Sequence, residues 1–182
     1  MMDLGQFDQL LTGYRQLVTR IDSHAAAVAT SCGDQLACHP GCAGCCRQIT
    51  VSAIEALALW RALQDIPPAE AATLRAAAVA AEASEECPLL EGELCRLYAA
   101  RPLICRTHGL PLLVEDEAGR RVDFCPLNFT AGGSLPGALV LDLERLNTLL
   151  SLLNRQFLEV LAANRIELPP RLGLGAALSL QL

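Results

Sequence analysis

Nine cysteines are the residues of this chain most able to do chemistry, and they are unevenly spread. Cys38, Cys42, Cys45 and Cys46 fall inside the short stretch CHPGCAGCC; Cys32 precedes it, and Cys87, Cys95, Cys105 and Cys125 follow. Thiolates are soft, charged ligands, and gathering them costs Coulomb energy that a bound cation offsets. The C-x3-C-x2-C spacing of Cys38, Cys42 and Cys45 lets a short glycine-containing loop aim several sulfurs at one centre. Cys87, Cys95, Cys105 and Cys125 supply ligands from a second segment. Metal binding therefore accounts for most of the thiols, and the alternatives account for fewer. Adjacent Cys45 and Cys46 cannot readily bridge each other as a disulfide, and an odd total leaves one thiol over. Cys42-Ala-Gly-Cys45 has the spacing of a redox couple at a helix start, but the surrounding pattern lacks the alternating strands and helices of a thioredoxin-like sheet. Cys105 with His108, or Cys38 with His39, would make a nucleophile and base, which leaves the other thiols unexplained. Thiols that were only small buried hydrophobes would also sit on helical stripes, and these do not. Cys45 and Cys46 should diverge, so the spacing suits one site with spare thiols or two adjacent sites.

The elements that must position these residues read as helices. The chain has 182 residues, enough for one domain with a real core, and its 52% hydrophobic content is rich in alanine and leucine with only 4% aromatics. From Asp3 to about Ser31, Leu4, Phe7, Leu10, Leu11, Tyr14, Leu17, Val18 and Ile21 recur at helical spacing. Gly33, Pro40, Gly41 and Gly44 then break the periodicity. Ser52 and Glu55 have capping-box spacing ahead of a second helix, with Trp60 in its core and Arg61 on its exposed side. Pro67 and Pro68 precede an alanine-rich third helix running to about Ser84. The middle is loop-rich, with a tight turn at Glu91 and Gly92 and a hairpin pairing LPLLV with RRVDF across Asp116 to Gly119. LYAA forms a helical turn or two before Pro102. Ala131 to Gly137 reads as a small-residue linker. Asp142 caps a long helix to about Arg165, with Leu143, Leu146, Leu149, Leu150, Leu153, Phe157, Val160 and Leu161 on its apolar stripe. The apolar tail LPPRLGLGAALSLQL docks on the body.

Charge and hydropathy narrow the partners. The formal charge is −6 and the pI near 5.0, without the concentrated basic face that nucleic-acid binding needs. No run of apolar residues is long enough to predict a membrane-spanning helix. The opening MMDLGQFDQL carries acid where a signal peptide needs a basic region, so a cytoplasmic location with reduced thiols is expected.

Taken together, the cysteine segments resemble a known family: the zinc- or iron-chelating cysteine-cluster proteins, often called YkgJ-like or CxxCxxCC. The resemblance rests on C-x3-C-x2-CC at 38–46, Cys87-Pro88 with Leu90, the run from Cys95 through Tyr98, Arg101 and Pro102 to Cys105-Arg106, and Cys125-Pro126. It covers roughly residues 38–126. It implies eight metal-associated cysteines, namely Cys38, Cys42, Cys45, Cys46, Cys87, Cys95, Cys105 and Cys125, with Cys32 outside. The family also includes segments within protein-lysine methylases, whose extra sequence is not evident here.

The expectation is a mainly α single domain over residues 1–182, with helices at about 3–31 and 142–165 around an irregular cysteine-rich centre that carries a small hairpin. Zinc would take four thiolates in a closed tetrahedron. The surplus of thiols favours an iron–sulfur cluster, of which the [4Fe–4S] cubane is one form. Arg101 and Arg106 flank Cys105 and could offset anionic sulfur, or else pair with Glu91 or Glu93 at the surface. Tyr98 is expected to pack under the cluster loop. Three readings stay open: an accessory electron-transfer or metal-handling protein, a structural-zinc interaction module whose amphipathic helices meet a protein partner, and a metal-dependent redox enzyme or methylase-associated component.

Overall fold

In the computed structural model, which describes residues 2–81, 84–117, 119–132 and 134–182, the first helical stripe folds as two pieces. Helix α1 (Leu4–Leu10) is capped by Asp3, whose Oδ1 accepts the Gln6 N–H at 2.9 Å while Gln6 Oε1 accepts the Asp3 N–H. A turn at Leu11 separates it from α2 (Thr12–Cys32), so the single predicted helix is corrected to a pair. Phe7 and Leu11, one helical turn apart, are both in the core, and Phe7 meets Trp60 edge-on with ring centroids 5.3 Å apart.

Strand β1 (Thr50–Ser52) leads into α3 (Ala53–Gln64), the most enclosed helix. The predicted cap is present: Glu55 Oε2 accepts the Ser52 N–H at 2.9 Å and the Ser52 hydroxyl at 2.8 Å. Ile54, Leu57, Leu59, Trp60 and Leu63 are buried around its circumference, as expected of a helix covered on several sides. Arg61 is not free on an outer face. Its guanidinium pairs with Asp8 of α1 at 3.2 Å and with Asp65 at 2.5 Å. Helix α4 (Pro68–Ala81) turns the thin stripe Ala71, Leu74, Ala78 and Ala81 inward. Residues 82 and 83, next to its predicted end, lie outside the described residues.

Strands β2 (Leu90–Glu91) and β3 (Leu94–Cys95) form a small hairpin whose left-handed residue is Gly92, at φ +60°. One 3-10 turn at Tyr98–Ala100 is what becomes of the helical turns read from LYAA. Helix α5 (Leu103–Thr107) follows Pro102 and carries Cys105, and α2 ends in buried Cys32, so the expectation that the thiols keep off the helices is corrected for these two. Strands β4 (Leu112–Asp116) and β5 (Gly119–Asp123) form the predicted antiparallel hairpin, with Leu112 opposite Asp123 and Asp116 opposite Gly119. A third strand, β6 (Leu141–Asp142), joins β4 in parallel.

Helix α6 (Leu143–Ala163) starts where Asp142 accepts the Arg145 N–H at 2.9 Å. Its buried seam is Leu146, Asn154, Phe157 and Leu161, with Leu150 and Leu153 half-buried. Leu149 and Val160 are exposed instead, one step to the side of that seam. The rotation brings Asn154 inward, where it accepts the Ile54 N–H at 3.0 Å and donates to the Pro170 carbonyl at 3.0 Å. The tail docks as expected, in a form not foreseen. Strand β7 (Arg171–Gly173) pairs with β1, and α7 (Leu174–Leu178) buries Leu174, Ala177 and Leu178.

The main core thus joins the helices, while a smaller cluster of Val28, Cys32, Leu110, Phe129 and Leu139 lies beneath the central loops. Among the described residues, no helix is long and apolar enough to cross a membrane.

Candidate metal centre

The cysteine loop is held from below by one amide. Asn128, only 1% exposed, accepts the Ala37 N–H at 2.8 Å, donates to the Gly109 carbonyl at 2.7 Å and donates to Cys38 Sγ at 3.3 Å. Its own N–H donates to the Cys125 carbonyl at 2.8 Å, and the Phe129 N–H reaches the Gln35 carbonyl at 2.8 Å. These bonds bring the loop at 35–38 against the segments that follow Cys105 and Cys125. Gly109 adopts φ +94°, and a Cβ there would lie 2.5 Å from Cys38 Sγ and 3.5 Å from Cys125 Cβ. A side chain at that position would therefore displace the sulfur. Two turns shape the rest of the loop: the Cys42 N–H donates to the His39 carbonyl at 3.0 Å and the Cys46 N–H to the Ala43 carbonyl at 2.9 Å.

A second set of backbone contacts gathers the other thiols. Arg47 and Glu86 form an antiparallel bridge, and the Gln48 N–H donates to the Glu85 carbonyl at 2.8 Å. In an antiparallel pairing the residue before one partner lies alongside the residue after the other, which sets Cys46 beside Cys87. The hairpin places Cys95 opposite Leu90, whose N–H donates to the Cys87 carbonyl at 3.1 Å. Cys87 and Cys95 both pack against the main core. Helix α5 is fixed by a buried carboxylate: Glu55 Oε1 accepts the Leu103 N–H at 2.9 Å, linking the start of α3 to the start of the helix that carries Cys105.

The electrostatics follow from this crowding. All nine cysteines are free thiols. Burial pushes Cys38, Cys45, Cys46, Cys87 and Cys95 above the ordinary thiol range, and thiols nearby add to the effect for Cys38, Cys45, Cys46 and Cys87. Cys105 as a whole residue is exposed, yet the surrounding protein desolvates its thiol, and with Cys87, Cys95, Cys46 and Cys45 nearby it is pushed up to about 12. Arg101 acts in the opposite direction on Cys46 and Cys95. A bound cation would relieve this repulsion, with protons released as it binds.

The two arginines separate in role. Arg106 is buried and donates to both Asp22 oxygens, at 2.8 and 2.7 Å, to the Arg101 carbonyl at 2.8 Å and to the Ala99 carbonyl. Its charge is met by Asp22, and the bonds clamp α5 to α2. Arg101 lies over the Tyr98 ring at 3.6 Å, and its Nε is buried without a hydrogen-bond partner. Glu91 pairs with Arg96 instead. Tyr98 is not packed beneath the loop; it is exposed and serves as the platform for Arg101. His39 is exposed, its ring set against the Pro40 carbonyl, and His108 is exposed just past the end of α5.

Among the described residues, no three His, Cys, Asp or Glu side chains stand ready-converged to hold a metal ion. The surroundings nonetheless fit one. The donors are soft, they come from two segments, and a cationic side chain with a buried, orphaned N–H favours the charged forms of Cys46 and Cys95. A wide cleft lined by Val114, Leu143, Asn147, Ser151 and Arg155 lies on α6, away from the thiols.

Asn128, Gly109 and Glu55 hold the site together, and their part in it carried no sequence signal beyond the cap spacing of Glu55. Residues 37–126 match the family model CxxCxxCC, described as a "putative zinc- or iron-chelating domain", one residue wider than the segment read from the sequence. No curated protein and no solved structure matches the chain.

Proposed function

We propose that the chain, whose residues 37–126 match the CxxCxxCC family model, holds an iron–sulfur cluster through its clustered cysteines and serves as an accessory electron-transfer or metal-handling protein. The observation that carries this reading is the placing of eight thiols on two segments that the backbone brings together, with Arg101, whose buried Nε has no hydrogen-bond partner, among them. Cys38, Cys42, Cys45, Cys46, Cys87, Cys95, Cys105 and Cys125 would be the ligands. One tetrahedral zinc takes four thiolates, so a single structural ion leaves half of them unused. The helices already supply most of a core, so metal is not needed in place of one. Cys38, Cys45 and Cys105 are exposed, which suits a centre that exchanges electrons or metal with a partner. When bound, an iron–sulfur cluster would supply one-electron chemistry, tuned by hydrogen bonds to sulfur and by nearby charge. Asn128 contributes such a bond at Cys38, and Arg101 contributes charge at Cys46 and Cys95. Free thiols of this density belong in a reducing compartment, and we assign the protein to the cytoplasm on that ground.

A structural-zinc interaction module is the second reading, favoured by the exposed Leu149, Leu152 and Val160 of α6, which offer apolar contact to a protein partner. Anaerobic purification with metal analysis and an absorption spectrum separates the two. Broad visible absorption with iron and acid-labile sulfide supports the first reading. Colourless protein with stoichiometric zinc replaces it with the second.

A further inference from the structure

We propose that the eight cysteines form two adjacent four-thiol sites, Cys38, Cys42, Cys45 and Cys125 in one and Cys46, Cys87, Cys95 and Cys105 in the other, each taking its own metal centre. The division rests on the metal-binding reading above and makes it more specific.

The backbone separates the two groups. Asn128 and Gly109 draw Cys38 and Cys125 together from distant parts of the chain: the amide bonds to Cys38 Sγ and takes its place through the Cys125 carbonyl, and the Gly109 Cα faces both residues. Cys42 and Cys45 belong to the same loop as Cys38, closed by the His39–Cys42 turn. The Arg47–Glu86 bridge instead carries Cys46 to Cys87, and the Leu90–Cys95 pair adds Cys95 on the neighbouring strand. Cys105 joins this group through α5, which Arg106 ties back to the Ala99 and Arg101 carbonyls just after the β2–β3 hairpin.

Nearest-thiol effects follow the same line for Cys38 and Cys87, whereas Cys45 and Cys46 straddle it, Cys42 acting on Cys46 as well. The thiols acting on Cys38 are those of Cys125, Cys42 and Cys45. Those acting most on Cys105 are Cys87, Cys95 and Cys46, with Cys45 weaker. Cys87 feels Cys95 and Cys46. The seam falls between Cys45 and Cys46, whose thiols lie within hydrogen-bonding reach of each other, so the two sites share this edge. Cys45 and Cys46 also act on each other, so the sites are adjacent rather than remote. Each group has its own compensation for sulfur charge: an Asn128 N–H in the first and the Arg101 guanidinium in the second. Four thiolates complete a zinc or cobalt tetrahedron, and four also complete a common iron–sulfur cluster, so the division holds for either metal.

The test is an anaerobic cobalt(II) titration of the chelator-stripped full chain, followed by sulfur-to-cobalt absorption and native mass spectrometry. Two cobalt ions per chain are expected. Cys125→Ser and Cys87→Ser should each bind one. Cys38→Ser with Cys125→Ser should still bind one, whereas Cys125→Ser with Cys87→Ser should bind none. Wild-type stoichiometry does not depend on whether any variant folds. As a second measurement, alkylation mapping of wild-type protein at one cobalt equivalent should protect the cysteines in blocks of four that match the two sets. A single cobalt per chain, or protected blocks that mix the sets, overturns the division and leaves metal binding standing. A chain that binds no cobalt and is isolated without metal overturns the metal-binding reading and the division with it.

Discussion

Asn128 Nδ2 donates to Cys38 Sγ at 3.3 Å from a side chain that is almost fully buried and also bonded to Ala37 and Gly109. A buried amide left without partners is costly, about 1–3 kcal/mol for each unsatisfied group, so these bonds are strongly favoured together. They make the position of Cys38 a property of the tertiary structure rather than of its own loop. The glycine beneath the sulfur completes the arrangement, since it combines φ +94° with a close approach that no Cβ could share.

Gly109→Ala therefore has a specific consequence. The new methyl would press on Cys38 Sγ, and the left-handed backbone adds strain of about 1–3 kcal/mol. Metal retention against a competing chelator should fall roughly 10–100-fold. Gly132 is the control, because it has φ +70° and nothing lies within 4 Å of the point its Cβ would occupy, so Gly132→Ala carries strain alone. Equal metal retention in the two variants would remove Gly109 from the site.

Glu55 offers a test of how α5 is held. Its carboxylate is 4% exposed and accepts from Ser52 and from the Leu103 N–H. In Glu55→Gln one of these donors meets an NH2 group. The expected cost is about 1–3 kcal/mol, read as a lower urea midpoint with an unchanged slope. Exchange of the Leu103 amide should quicken as well. Glu159→Gln, on an exposed part of α6, should stay within about 0.5 kcal/mol of wild type. A Glu55 variant as stable as that control would show that the link from α3 to α5 carries little.

Cys32 and Cys42 should behave as opposites. Cys32 is buried among Val28, Leu110, Phe129 and Leu139 and lies outside residues 37–126. Cys32→Ser should leave metal content unchanged and lower stability by about 1–3 kcal/mol, the cost of placing a hydroxyl in an apolar cluster. Cys42→Ser, at a half-buried loop position, should sharply reduce metal content with little effect on the metal-free fold. Metal analysis and a denaturation curve on both variants decide the point, and equal metal loss in the two would redraw the ligand set.

Local signals were legible in the sequence and tertiary ones were not. Asp142 and the Ser52–Glu55 pair announced helix starts because a cap is made within a few residues. The β4–β5 hairpin was readable from the runs LPLLV and RRVDF around a polar turn, although Ala118 in that turn lies outside the described residues. The parallel β4–β6 pair and the β1–β7 pair join distant segments and leave no periodic trace. Arg61 read as exposed because nothing nearby in sequence shows that Asp8 of α1 comes to meet it. The cysteines stood out by spacing. Asn128 did not, since an asparagine after Cys125-Pro126-Leu127 looks like any turn residue until packing buries it.

Arg101 is where charge and geometry bear most directly on the proposed centre. Several thiolates on one metal leave excess negative charge, which a guanidinium can stabilise with fixed N–H donors. Arg101 is stacked on Tyr98, its Nε has no protein partner, and it favours the charged forms of Cys46 and Cys95. Arg101→Ala should leave the hairpin and α5 in place, because Arg106 takes its bond from the backbone carbonyl at 101 rather than from the side chain. Metal retention should nevertheless weaken by about 10–100-fold, or an iron–sulfur centre should shift to lower potential. Arg101→Lys should recover part of the effect, since lysine keeps the charge and loses the planar fork. Tyr98→Leu should produce a smaller change in the same direction by removing the aromatic face that holds the guanidinium. Arg155→Ala, on the exposed side of α6, is the control. A chelator competition and a redox titration on the four variants provide the readout, and unchanged affinity and potential in Arg101→Ala would leave that arginine an ordinary surface charge.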